Sequence, residues 1–122
     1  AITGAGDLSA RFVIHAAGMP WGGQVGEESL RSALQASLEL AEENACRTIA
    51  IPAIGAGVGG LSLQTCAEIS LAEARRYVED RGANAIVEEI RFVLFGEPAF
   101  RLFEMVNDAA KVEEQMRKLR ER

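Results

Sequence analysis

The stretch "IPAIGAGVGGLS", Ile51 to Ser62, places Gly55, Gly57, Gly59 and Gly60 within six residues. The apolar run before them reads as a strand, and the pattern after them as a helix with Ser62 at its N-cap. Glycine packs no side chain and costs backbone order. Four of them at a strand-to-helix handover mark a place where bare backbone is needed. At the carboxyl end of a parallel strand such a loop turns its N–H groups outward, and the dipole of the following helix adds partial positive charge. A diphosphate can lie against that backbone only where side chains are absent. Phosphate binding is the reading for Gly55, Ala56, Gly57, Val58, Gly59 and Gly60; a tight turn without ligand is the alternative.

Working outward, "RTIAIPAI", Arg47 to Ile54, is the strand that feeds the loop. Pro52 removes one ladder donor, so the strand must loosen or end near it. Beyond the loop, a helix runs from Ser62 to about Asp80, with Leu63, Cys66, Ala67, Ser70, Ala74, Tyr77 and Val78 as its inner stripe. "RGAN" ends it. "EEIRFVLF", Glu88 to Phe95, is a further strand, and Pro98 suits the first turn of a last helix anchored by Phe100, Phe103 and Val106. Before the loop, "RFVIHAAG", Arg11 to Gly18, is a buried strand and "GMPWGGQVG" a Gly/Pro loop. Glu27 to Asn44 is an amphipathic helix with Leu30, Leu34 and Ala41 on one side, beside Ala33, Ser37 and Leu40. Glu27 and Glu28 suit the positive end of its dipole.

The order β-α-β-α-β-α predicts an α/β fold: a mixed, largely parallel sheet with helices on its faces, a three-layer α/β/α arrangement. Residues 1–108 form the expected domain. Residues 109–122 form a charged helical extension, solvated or partner-binding.

With 122 residues, 48% hydrophobic and 25% charged, the chain suits one globular domain. A formal charge of −5 argues against non-specific binding to nucleic-acid backbones. One phosphate ligand held by backbone N–H groups needs no net positive charge. Cys46 and Cys66 lack metal-ligand spacing and read as reduced thiols of a cytosolic protein. No signal-peptide pattern is read, and no apolar run approaches the roughly 18 residues of a membrane span. Neither a metal nor a cofactor is expected.

Gly55, Gly57 and Gly60 also satisfy G-x-G-x-x-G, a dinucleotide fingerprint. That motif wants an acid closing the next strand about 20 residues on. Here a long helix intervenes, the next strand ends near Phe95, and Glu97 follows it. A Rossmann-like dinucleotide domain is the weaker alternative.

Three stretches together resemble the macro domain family, the ADP-ribose-binding modules of the Appr-1"-p processing type. "IPAIGAGVGGLSL" is similar to that family's second phosphate-binding loop. "AITGAGDLSARFVIHAAG" is similar to the segment before it, and "RFVLFGEPAF" to the last strand and the start of the final helix. The resemblance covers Ala1 to about Val106. It implies that Gly55 to Gly60 wrap the diphosphate and distal ribose. Gly59 stands where many members carry an aromatic residue, so a ribose stack is missing there. Phe95 matches a position where an aromatic packs against adenine in some members; strand-end core is the other reading. The counterpart of His15 is not catalytic, and His15 is expected as a hydrogen-bonded core residue. Trp21 is expected to be a packing lid.

Family members also begin well before Ala1. The resemblance implies that an acid reading adenine, an Asn-Ala-Ala-Asn-like strand and a glycine-rich first loop belong to that earlier part. The strand would lie mid-sheet, between Arg11–Gly18 and Arg47–Ile54. Without it, two apolar strands face a gap with unpaired backbone groups. The expectation is a fragment of a longer chain, or a fold rearranged or repaired by a partner.

The functional expectation is an ADP-ribose-binding domain whose partner is ADP-ribose or an ADP-ribosylated protein. Hydrolysis of ADP-ribosyl or O-acetyl-ADP-ribose esters, non-catalytic reading of modified partners, and a structural role with an empty loop all stay open. No catalytic residue is assigned.

Overall fold

The computed structural model describes residues 1–16, 26–57 and 60–121. Trp21, Val58 and Gly59 lie outside them. Two short strands, β1 (Ile2–Gly4) and β2 (Phe12–Ile14), come first, followed by helix α1 (Glu27–Glu43), strand β3 (Thr48–Pro52), helix α2 (Leu63–Arg81), strand β4 (Glu89–Val93) and helix α3 (Glu97–Arg120). The expected strands and helices are present: β3 and β4 are shorter than expected by one or two residues at each end, β2 ends at Ile14, four residues before Gly18, and α2 runs to Arg81. The expected burial of β2 is corrected, since Phe12 is exposed and Val13 and Ile14 are half-buried, with no neighbouring ladder on the β3 side among the described residues. β3 stops at Pro52, the residue that cannot donate to a ladder.

The α/β class is realised as two separate ladders. β3 and β4 are parallel, in a register that sets Ile49 beside Ile90, Ile51 beside Phe92 and Pro52 beside Val93. β1 and β2 form an antiparallel pair, with Ile2 opposite Ile14. Among the described residues no ladder joins β2 to β3. β2 is instead tied across by Arg11, whose guanidinium donates to the Ala45 carbonyl at 2.8 Å. A cavity of about 650 Å³ lies between Ile14, His15 and Ala16 on one side and Ser29, Ser32 and Ala36 of α1 on the other.

Strand periodicity puts Ile49, Ile51, Ile90 and Phe92 on one face of the β3–β4 pair. That face receives Leu30 and Leu34 of α1 and Ile69 of α2. A second cluster joins Leu38 and Ala41 to Tyr77 and Val87, and a third joins Cys66 and Ala67 to Phe103. The opposite face, with Ala50, Pro52, Arg91 and Val93, is exposed. Of the expected α/β/α layering, the described residues contain the sheet and the helices on one face.

Three expected core positions are corrected. Val78 and Phe100 are each 55% exposed, while Ile69 and Leu38 are buried in the core. Each helix residue turns about 100° from the last, so Val78 points away once Tyr77 faces inward, and Phe100 does so once Ala99 and Phe103 do. His15 is hydrogen-bonded as expected, its Nε2 3.1 Å from Thr3 Oγ1, but at an exposed site rather than in a core.

Caps explain the helix ends. Ser62 Oγ accepts from the Thr65 N–H at 3.1 Å to start α2. Gly82, at φ 53°, donates its N–H to the Val78 carbonyl and stops it. Pro98 stands in the first turn of α3.

Candidate functional site

The segment from Ala53 to Ser62 leaves the carboxyl end of β3 and turns into α2. Gly55, Gly57 and Gly60 all take positive φ, at 89°, 71° and 91°. A side chain there strains the backbone by about 1–2 kcal/mol, which accounts for glycine at each. The loop folds on itself: Leu61 N–H donates to Gly55 O at 3.0 Å, and Gly60 N–H to Gly57 O at 3.1 Å. Among the described residues nothing accepts the N–H groups of Gly55 and Gly57. A Cβ built on Gly57 meets no heavy atom within 4 Å, so its open side faces free space.

Charge at the helix starts separates α2 from its neighbours. α1 opens with Glu27 and Glu28 and α3 with Glu97, each compensating its own dipole. α2 has no acidic residue in its first turn. Its leading N–H groups, beyond the one capped by Ser62, have no intrahelical acceptor. The positive end of α2 is therefore left uncompensated beside the glycines, as an anion site requires.

The loop is held from below. Cys66 is fully buried, and its thiol donates to the Ile54 carbonyl with Sγ and oxygen 3.1 Å apart. Burial pushes the thiol's pKa up, with the Ser70 hydroxyl and the Ala56 backbone opposing. Cys66 is thus a protonated structural donor and not a thiolate nucleophile. Sequence reading placed it in the helix stripe; its contact with the loop base needed coordinates.

Phe95 follows β4 and is 101% exposed, so strand-end core is excluded for it. Because Pro52 pairs with Val93, the segments leaving β3 and β4 emerge at the same end of the parallel pair. Ala53 and Ala56 pack in one cluster with Phe92 and Leu94. The structure therefore brings the described loop glycines and Phe95 to one edge. Val58 and Gly59 cannot be placed with them, being outside the described residues.

Two cavities lie elsewhere. One of about 130 Å³, between α1 and α2, is bordered by Gln35, Glu73 and Arg76; the other is the space between β2 and α1. Among the described residues, none from the loop borders either. The loop remains the candidate because an anion site of this kind depends on backbone donors and a dipole rather than on depth. Among the described residues no group of histidine, cysteine and carboxylate side chains could hold a metal ion. The chemistry available at the loop is hydrogen bonding to negative oxygen atoms.

Comparison with known proteins gives a consistent picture. Residues 1–70 match the family model for the Macro domain. A Macro domain-containing protein of Caldanaerobacter subterraneus subsp. tengcongensis is 41% identical over 104 residues, 84% of this chain and 57% of that protein. A structure of the Oceanobacillus iheyensis macrodomain with ADP superposes with a TM-score of 0.82 at 25% identity, covering 93% of this chain and 58% of that one. The Trypanosoma brucei macrodomain in complex with ADP-ribose gives 0.76 at 29% identity, covering 85% and 43%. The chain therefore spans only part of these relatives, from 43% to 58% of their length.

Proposed function

The chain belongs to the Macro domain family, and from that premise we propose that it binds ADP-ribose, free or carried on a modified protein. The diphosphate lies on the Gly55–Gly60 loop. The observation that carries this reading is the pairing of positive-φ glycines with the uncompensated start of α2. Two solved macrodomain structures similar to this chain hold ADP and ADP-ribose. Phe95, exposed at the same sheet edge, offers an aromatic face for the adenine ring.

Isothermal titration of the 122-residue protein with ADP-ribose, AMP and NAD tests the claim. ADP-ribose is expected to bind tightest of the three. Equal affinity for all, or none for any, removes it.

Hydrolysis of ADP-ribosyl or O-acetyl-ADP-ribose esters is the further step. At this loop it rests on positioning of substrate and water by backbone N–H groups, since the described loop residues supply no acid, base or nucleophile. Single-turnover incubation with ADP-ribosylated protein separates the two cases. Release of ADP-ribose identifies a hydrolase; retention of bound, intact substrate identifies a reader.

A further inference from the structure

α3 has two apolar sides. One packs on the body through Ala99, Phe103 and Val106. The other comprises Leu102, Met105, Ala109, Val112, Met116 and Leu119, spaced alternately three and four residues apart. That is the 3.5-residue repeat of a helix-pairing seam. It lies about a third of a turn from the packed side. Met105 is 67% exposed, Val112 59%, Met116 52% and Leu119 58%, so four large apolar side chains line up in solvent. Scattered single exposures need no explanation; a contiguous stripe on the order of 400 Å² is the size of the largest apolar patch on a typical monomer, and such patches are often functional.

We propose that this seam pairs two copies of the chain as an antiparallel helix pair. The stripe is self-complementary: with Ala109 opposite Val112 of the second copy, Met116 meets Met105 and Leu102 meets Leu119. Flanking charges select the direction. In a parallel pair Asp108 of each copy faces Glu113 of the other, two like-charge contacts. In the antiparallel register Asp108 faces Gln115 and Val106 faces Glu113, and both repulsions vanish. Opposed helix dipoles add to the preference. Two such stripes bury roughly 800 Å², below the ~1,200 Å² of standard interfaces, so the dimer is weak and concentration-dependent.

Sedimentation velocity of the whole 122-residue protein, from about 10 μM to about 1 mM, tests this in the range where a weak dimer forms. The mean mass is expected to rise from 13.1 kDa toward twice that value. Met116→Lys, at an exposed position, is expected to weaken dimerisation at least about tenfold while leaving the melting temperature unchanged. A parent that stays monomeric throughout assigns the seam to some other occupant and overturns the proposal, as does a Met116→Lys protein that dimerises like the parent. Orientation is read by oxidising a mixture of Ala109→Cys and Val112→Cys chains. Cross-links between unlike chains are expected; cross-links between two Ala109→Cys chains overturn the antiparallel arrangement.

Discussion

The Cys66 thiol and the Ile54 carbonyl, 3.1 Å apart, join the first turn of α2 to the strand end that leads into the glycines. Cys66→Ala removes the donor, leaves that carbonyl short of a partner and opens a small void. The expected cost is about 1–3 kcal/mol in chemical denaturation, with the denaturant slope unchanged. A loss below about 0.5 kcal/mol, the range of an ordinary surface change, would mean that the contact does not support the loop.

Stability is expected to fall at alkaline pH through two groups. Burial raises the Cys66 thiol above its ordinary 9.0. Burial first, then the hydrogen bond to Glu42, raises the Tyr77 phenol above its ordinary 10.0. In both, the unfolded chain loses its proton at lower pH than the native one. Over that interval the native state binds more protons, so stability declines as pH rises. The contribution is complete below pH 9.0 for Cys66 and below pH 10.0 for Tyr77, and is lost as pH climbs through the folded values. Denaturation midpoints from pH 7 to pH 11 check this. A Cys66→Ala/Tyr77→Phe protein should show a flatter alkaline limb, and an identical limb would refute the assignment.

Gly57→Glu is expected to abolish ADP-ribose binding. Two like charges about 4 Å apart cost roughly 1–4 kcal/mol at effective dielectrics of ~80 to ~20, and the side chain would occupy the ligand's place. The positive φ adds about 1–2 kcal/mol of strain to the fold. Gly57→Ala shares that strain without the charge, and its Cβ has free space to enter. Titration and melting of both proteins separate the effects. If Gly57→Glu folds and binds like the parent, the glycines serve only the turn.

Phe95→Ala should leave the melting temperature unchanged, because the ring is fully exposed. If the ring carries the adenine, loss of a base stack costs about 1–3 kcal/mol, and ADP-ribose affinity falls roughly fivefold or more. Pyrophosphate, which has no base, should bind both proteins alike. Unchanged ADP-ribose affinity would release Phe95 from the site.

Much of this chain could be read from local pattern. Apolar periodicity located the helices and three of the four strands. Ser62, Gly82, Pro52 and Pro98 marked their ends, because capping, a positive φ and a missing N–H are properties of single residues and near neighbours. The glycine cluster marked the candidate site for the same reason. Which side of a helix faces inward was less legible: Val78 and Phe100 look as apolar as Tyr77 and Phe103, and only packing against the other elements chose between them. Contacts between distant parts of the chain were not legible at all. Cys66 under Ile54, Tyr77 between Glu42 and the Val87 N–H, and the exposure of Phe95 depend on how β3, β4 and the three helices meet. Sequence alone determined the elements, their order and the glycine loop, since backbone propensity and hydrophobic period act over a few residues. The tertiary structure decided burial, hydrogen-bond partners and the free seam of α3, since those follow from surfaces brought together from separate elements, 10 residues apart for Val87 and Tyr77 and 35 apart for Tyr77 and Glu42.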